Sequence, residues 1–372
     1  MNFDFSDAQK ALKKQTRDLL RQVCDLTVPR RVLEGEEPYA DEVWKALVDM
    51  ESPGIAIPEQ YGGLGFGYLE LCVVAEELGR SLAPTPFSSS VYLATEAILL
   101  AGTDEQKQQY LPKLAKGEIV GTFALSEGSG ALSEEKLACA FADGALRGAK
   151  TPVPDGDVAD FAVVVARDGD ADGASLALVD LTADGVERTT VATLDPTRSH
   201  ARVAFDGAAA QRLGAAGEGW KLKDRVFDRA AVLFAMEQLG GSDACLAMAT
   251  DYAKGRYAFG RPIGSFQAIK HKLADMYIKN ELARANDYYG AWALSTDADE
   301  LALAAAAARV ASTEAYHYAA KENIQTHGGI GFTWESDCHL FYRRSKLLSL
   351  NLGSARVWKD RLVTALEAQH AA

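Results

Sequence analysis

Between Arg256 and Met276 the chain reads RYAFGRPIGSFQAIKHKLADM, a basic turn set between two long helical patterns. Arg256, Gly260, Arg261, Pro262 and Gly264 interrupt the helical period. Guanidinium groups and exposed backbone N–H groups beside a helix start suit a phosphate or a pyrophosphate. Gln267, just inside the following helix, adds an amide that both donates and accepts. A second glycine-rich turn, Gln325-Thr-His-Gly328-Gly329-Ile-Gly331-Phe-Thr-Trp-Glu335, closes a later helix. The two turns read together as one cofactor-binding apparatus. The plainer reading is a pair of helix-terminating turns with no ligand, and spacing alone leaves it open.

These turns must be held by helices. Leu222, Val226, Ala230, Leu233 and Phe234 share one helical face, and Ile269, Leu273, Met276 and Tyr277 share another. Glu300–Gln325 is alanine-rich, which permits close helix approach, and the last helices run from Ser336 to about Ala368. Upstream, residues 1–117 also read as helices. Ser6 caps the first, Glu42–Met50 forms another, Glu70–Ser81 a third with Gly79 as its stop, and Ser88–Ala101 and Asp104–Lys116 follow. The segment GGLGFG at 62–67 superficially resembles a dinucleotide fingerprint, but no strand–helix unit surrounds it. From about residue 118 the period changes. Val120–Leu125, Lys136–Phe141, Phe161–Val165, Ser175–Asp180, Val186–Thr190 and Ala201–Phe205 read as short strands between Asp/Gly turns. With no helices alternating, an antiparallel sandwich or barrel is expected.

Composition bounds the function. A net charge of −13 argues against nucleic acid and anionic lipid, so an anionic ligand needs a local basic patch such as the Arg256/Arg261 turn. Five scattered cysteines lack metal-type spacing and read as free thiols in a reducing cytoplasm. No run of about 18 apolar residues marks a membrane span.

Taken in order, FSDAQKAL, PEQYGGLGFG, EELGR, RYAFGRPIGSFQAIKHKLADM and QTHGGIGFTWE resemble the acyl-CoA dehydrogenase family across essentially the whole chain. The resemblance implies an α+β multidomain fold: a helical N-terminal domain (1–117), a middle β-barrel or sandwich (118–215) and a C-terminal four-helix bundle (216–372). It implies FAD held between subunits, the neighbouring subunit gripping the adenine and pyrophosphate end. The matching positions are Arg256, Phe259, Gln267, Gln325, Gly328 and Gly329. The reaction implied is α,β-dehydrogenation of an acyl-CoA thioester, with a carboxylate as base and an electron-transfer flavoprotein as acceptor.

Three departures qualify that reading. The usual base is a Glu before Gly-Thr; YRRSKLLSLNLGSAR places Leu352 there. The family's flavin-side loop, Thr-Glu-Pro-x-x-Gly-Ser-Asp, is matched by Ser126–Ser133, which keeps the hydroxyl of Ser126 and loses the Pro and the Gly-Ser-Asp. Its Trp-Ile-Thr/Ser-Asn-Gly segment is matched by Thr151-Pro-Val-Pro-Asp-Gly156, without the indole and with two prolines that lack N–H donors. The pattern implies a heteromer, like the α2β2 members that act on bulky steroid-type acyl-CoAs, in which this chain serves FAD seated in a homologous catalytic subunit. The alternative is a self-sufficient homomer. A minority branch carries its base on the first helix after the β domain, just before an Arg, where this chain has Asp228-Arg229. An ion-paired structural Asp is the plainer account of that position.

Overall fold

The computed structural model describes residues 5–35, 37–130 and 133–371. The early helices are α1 (Asp7–Val23), α2 (Thr27–Glu34), α3 (Asp41–Asp49), α4 (Tyr68–Arg80), α5 (Glu96–Ala101) and α6 (Asp104–Ala115). The strands follow: β1 (Gly121–Ala124), β2 (Ala140–Ala142), β3 (Ala145–Pro154), β4 (Phe161–Asp168), β5 (Ala174–Asp180), β6 (Val186–Thr190) and β7 (His200–Leu213). The chain then returns to helix in α7 (Gly219–Gly255), α8 (Gln267–Ser295), α9 (Leu301–His327), α10 (Cys338–Leu348) and α11 (Ala355–Ala371). Contacts gather these elements into two compact units. One holds the chain up to Arg31, Tyr68–Ala83 and everything from Ala231; the other holds Val32–Gly67 and Pro84–Ala230.

The first unit is helical. Its opening helix starts where the sequence says it must: Ser6 Oγ accepts the Gln9 N–H at 3.2 Å and Gln9 Oε1 accepts the Ser6 N–H at 2.8 Å. Against α1 lies α4, whose Glu76 and Glu77 are fully buried. Lys13 meets Glu76 at 2.5 Å, and Arg17 grips Glu77 through two bonds of 2.7 and 2.8 Å. Arg80 and Arg284 complete the network with Asp243, at 3.1 and 2.7 Å. These carboxylates make ion pairs, and a buried charge persists only when so matched. Gly79 does not stop α4. It lies inside the helix, and a Cβ there would stand 1.8 Å from the Glu237 carbonyl oxygen of α7. Gly240 of α7 mirrors it, a Cβ meeting the Glu76 carbonyl oxygen at 1.7 Å. The glycines let two backbones touch.

The second unit is built round the sheet. Because β4 pairs with both β2 and β5, the pairing runs β2–β3–β7–β5–β4 and back to β2, a closed barrel, with β1 beside β4 and β6 beside β7. Most pairs are antiparallel as expected, but β1–β4 and β2–β4 are parallel. Sequence patterning omits β3 because Pro152 and Pro154 argue against a strand. The structure admits them at a register shift between Lys150 and Val153, where the ladder with β7 is already irregular. Gly-rich 62–67 is a loop with no flanking strand, so the superficial fingerprint has no βαβ context.

Candidate functional site

Helix α7 ends as the Arg256 N–H bonds the Tyr252 carbonyl at 2.8 Å. Tyr257–Ala258 then pairs with Arg261–Pro262 in a minimal ribbon. Its tip is Phe259 and Gly260, with φ of 53° and 78°, the left-handed pair that a two-residue hairpin turn requires. The Ile263 N–H closes the turn on the Arg256 carbonyl at 2.8 Å. Arg261 lies over the Phe266 ring at 4.0 Å, and Gln267 opens α8. Arg256, Arg261 and Gln267 are exposed, and Phe259 is 95 % exposed. Among the described residues, neither Arg256 nor Arg261 has a carboxylate within 4.0 Å.

Helix α9 ends at His327. Gly328 follows at φ 64°, its N–H bonded to the Gln325 carbonyl. A Cβ on Gly328, Gly329 or Gly260 would meet nothing within 4 Å, so these backbones present open faces. Gly331 differs: a Cβ there would be 2.4 Å from the Ile324 carbonyl oxygen. The Tyr252 and His327 rings, one from each helix end, lie 4.1 Å apart between centroids. The two turns singled out in the sequence therefore belong to one place. Arg256, Phe259, Gln267, Gln325, Gly328 and Gly329 are each solvent-facing, and a patch built from them and Arg261 would offer two cations, an exposed aromatic ring and bare backbone. Such a patch fits the phosphates and flat base of a nucleotide.

Ser126 and Asp228 lie in the other unit. The loop after β1 is fastened to β3: Thr151 N–H bonds the Ser126 carbonyl at 2.7 Å, and Gly128 N–H the Thr151 carbonyl at 2.8 Å. Asp155 N–H goes to Ser199 and Gly156 N–H to Val153, at 2.8 and 3.2 Å. Pro152 and Pro154 have no N–H, so backbone donors of this segment are absent or turned inward. That arrangement does not fit the polar edge of a flavin ring. Ala131 and Leu132 of the same loop lie outside the described residues. Sequence reasoning passes over the clamp beneath. Lys150, with no exposed side-chain surface, donates to Glu127 Oε1 at 2.7 Å and to the Leu125 carbonyl at 3.1 Å. Glu127 also accepts the N–H groups of Ala138 and Cys139, at 2.8 and 3.1 Å. Burial works to raise the Glu127 carboxyl, but the Lys150 ammonium and these donors outweigh it and hold it below its ordinary value.

Asp228 is 9 % exposed on α7, and its neighbour Arg229 binds the buried Glu96 at 2.8 Å. Leu352 stands between α10 and α11 at 3 % exposure, and its carbonyl accepts the indole N–H of buried Trp358 at 3.1 Å. Upstream, Arg309 is buried with one arm on Gln238 at 2.7 Å and another on the Leu348 carbonyl; burial brings its pKa down to about 10. Arg344 pairs with Glu237 at 3.6 Å across the helices. The five cysteines are buried and none is in a disulfide, and no cluster of three metal-type ligands occurs among the described residues. Among those residues, no helix is long and apolar enough to cross a membrane.

Residues 6–118 match the model for the N-terminal domain of acyl-CoA dehydrogenases, and 217–366 match that for the C-terminal domain. Acyl-CoA dehydrogenase IpdE2 of Mycobacterium tuberculosis is 32 % identical over 342 residues, 91 % of each chain. Among solved structures, the ChsE4-ChsE5 complex from Mycobacterium tuberculosis is 30 % identical with a TM-score of 0.89, covering 99 % of both chains. A variant of the Tcur3481-Tcur3483 steroid ACAD is also 30 % identical with a TM-score of 0.89, covering 98 % of this chain and 99 % of that one. On fold, motifs and these matches, the chain belongs to the acyl-CoA dehydrogenase family, FAD-dependent oxidoreductases that act on CH–CH bonds.

Proposed function

We propose that this chain is the non-catalytic subunit of a heteromeric, α2β2 acyl-CoA dehydrogenase. It supplies the adenine and pyrophosphate half of an FAD site whose flavin half and base belong to a homologous catalytic chain. One observation carries the reading: the nucleotide-gripping turns are open and basic, while the flavin-side segment has its backbone donors tied inward and Leu352 stands where the base belongs. Domain bounds of 1–117, 118–215 and 216–372 go with this reading.

When bound, FAD supplies the hydride acceptor for α,β-dehydrogenation of the thioester. This chain contributes grip. Arg256 offers charge-assisted donors to the pyrophosphate, and Gly328 and Gly329 let backbone approach it. Gln267 and Gln325 offer amides, and Phe259 a ring face for the base. Ser126 has at most a minor part, since its loop is zipped onto β3. Similarity to the steroid ACAD and to the ChsE4-ChsE5 complex supports a bulky, steroid-type acyl group and a two-chain assembly. An electron-transfer flavoprotein is the acceptor by family resemblance, and a cytoplasmic setting goes with that partner.

The test is FAD stoichiometry. The chain expressed alone is expected to be colourless. Co-expressed with a homologous catalytic chain, it is expected to give a yellow complex with about one FAD per pair of chains. One FAD per chain in the isolated protein, with oxidation of an acyl-CoA, would overturn the reading in favour of the self-sufficient enzyme using Asp228. A colourless complex would instead make the chain a scaffold.

A further inference from the structure

We infer that Met248 and Tyr252 of α7, seated against Asn323 and His327 of α9, form a two-rung ladder that sets the spacing of the two nucleotide-gripping turns, making Tyr252 a positioning residue for them. This rests on the half-site reading above. On each helix the two residues are four apart, so they lie one above the other on one face.

On the lower rung, the Asn323 amide donates to Met248 Sδ at 3.2 Å, and Asn323 is fully buried. Cys338 of α10 also touches Met248, sulfur to sulfur at 3.8 Å. On the upper rung, the Tyr252 and His327 rings are 4.1 Å apart and inclined by 30°. His327 cannot swing freely, because Nδ1 lies 2.9 Å from the Asn323 carbonyl. A carbonyl only accepts, so Nδ1 carries the hydrogen and the ring plane is fixed. The upper rung stands at the last turn of both helices. Beyond it, Arg256 N–H bonds the Tyr252 carbonyl on one side, and Gly328 follows His327 directly on the other. Whatever holds the two rings together therefore holds together the helix ends from which the two turns start. A site fixed before its ligand arrives loses less freedom on binding, and so binds more tightly.

The experiment uses the co-expressed complex, with FAD affinity read from flavin fluorescence after dialysis and assembly checked by sedimentation. Tyr252→Leu removes the ring contact and is expected to weaken FAD binding roughly three- to tenfold. Tyr252→Phe keeps the ring and is expected to bind as the parent does. Parent-like affinity in an intact Tyr252→Leu complex would overturn the inference, as would equal weakening in both variants. Should Tyr252→Leu fail to assemble, His327→Phe against His327→Leu asks the same question: the ring-bearing variant is expected to bind more tightly, and equal affinities overturn the ladder. Arg256→Gln separates the two levels. If it weakens FAD binding while Tyr252→Leu does not, the ladder is wrong and the half-site stands. If Arg256→Gln has no effect, the half-site reading itself falls.

Discussion

At position 352 the side chain is nearly sealed from solvent, and its carbonyl is engaged by Trp358. A carboxylate placed there would be cut off from water as well. Leu352→Glu places a charge in a walled position, at a cost of about 3 kcal/mol or more. We expect a lower unfolding midpoint in denaturant and no turnover by the isolated chain. An unchanged midpoint would show that 352 is open to water. That the residue is a leucine is plain from the sequence; that it is buried is not, because burial depends on how the helices around it pack. Arg256, Gln267, Gln325 and the paired glycines are legible for the opposite reason. Their turns are local, and Gly and Arg at fixed spacing announce them. Tyr252 carries no such mark, since its partner, His327, lies on a different helix.

Helices and strands divide along the same line. The start of α1 is written in Ser6 and Gln9, and the start of α6 in Thr103 and Gln106, where side chain and backbone meet within one turn. Gly79 looks like a terminator because Gly ends many helices, but α4 continues through it to accept α7. The crossing yields an expected outcome. Gly240→Ala drives a methyl into the Glu76 carbonyl and should destabilise by about 2 kcal/mol, where an unobstructed helical Gly→Ala would stabilise by roughly 0.5–1 kcal/mol. Urea unfolding of the variant decides the sign, and a gain would mean the helices are farther apart. The β3 strand escaped sequence patterning through its two prolines, and α2 (Thr27–Glu34) through its short length. Both are held by neighbours that a single stretch of sequence cannot display.

On the scale of the whole chain, the pH dependence of stability should draw on a buried acid, Asp287. Asp287 is fully buried, and its Oδ2 accepts the Ser312 hydroxyl at 2.7 Å. Burial raises its carboxyl well above the ordinary value; the Ser312 bond and Arg284 oppose this, while Glu76 and Asp243 reinforce it. The folded chain thus keeps a proton that the unfolded chain releases above about pH 4. Folded binds more protons than unfolded, so this group's contribution to stability falls as pH rises beyond that point. Asp287→Asn removes the slope. Relative to the parent, its unfolding free energy is expected to climb as pH rises above about 4, measured by urea unfolding at each pH. Parallel profiles would mean that Asp287 is ionised in the folded protein. Nothing in the sequence distinguishes Asp287 from the surface acids, because the helices that enclose it come together only in the fold.

The Lys150–Glu127 pair bears on how this chain came to look as it does. Losing Glu127 strands the fully buried Lys150 ammonium, and losing Lys150 takes from Glu127 its counter-charge and leaves it two backbone donors. Both positions are therefore tied to folding, whatever the loop above them serves. Glu127 is thus accounted for by the fold alone, and counting it as a sign of flavin chemistry would mistake the hinge for the door.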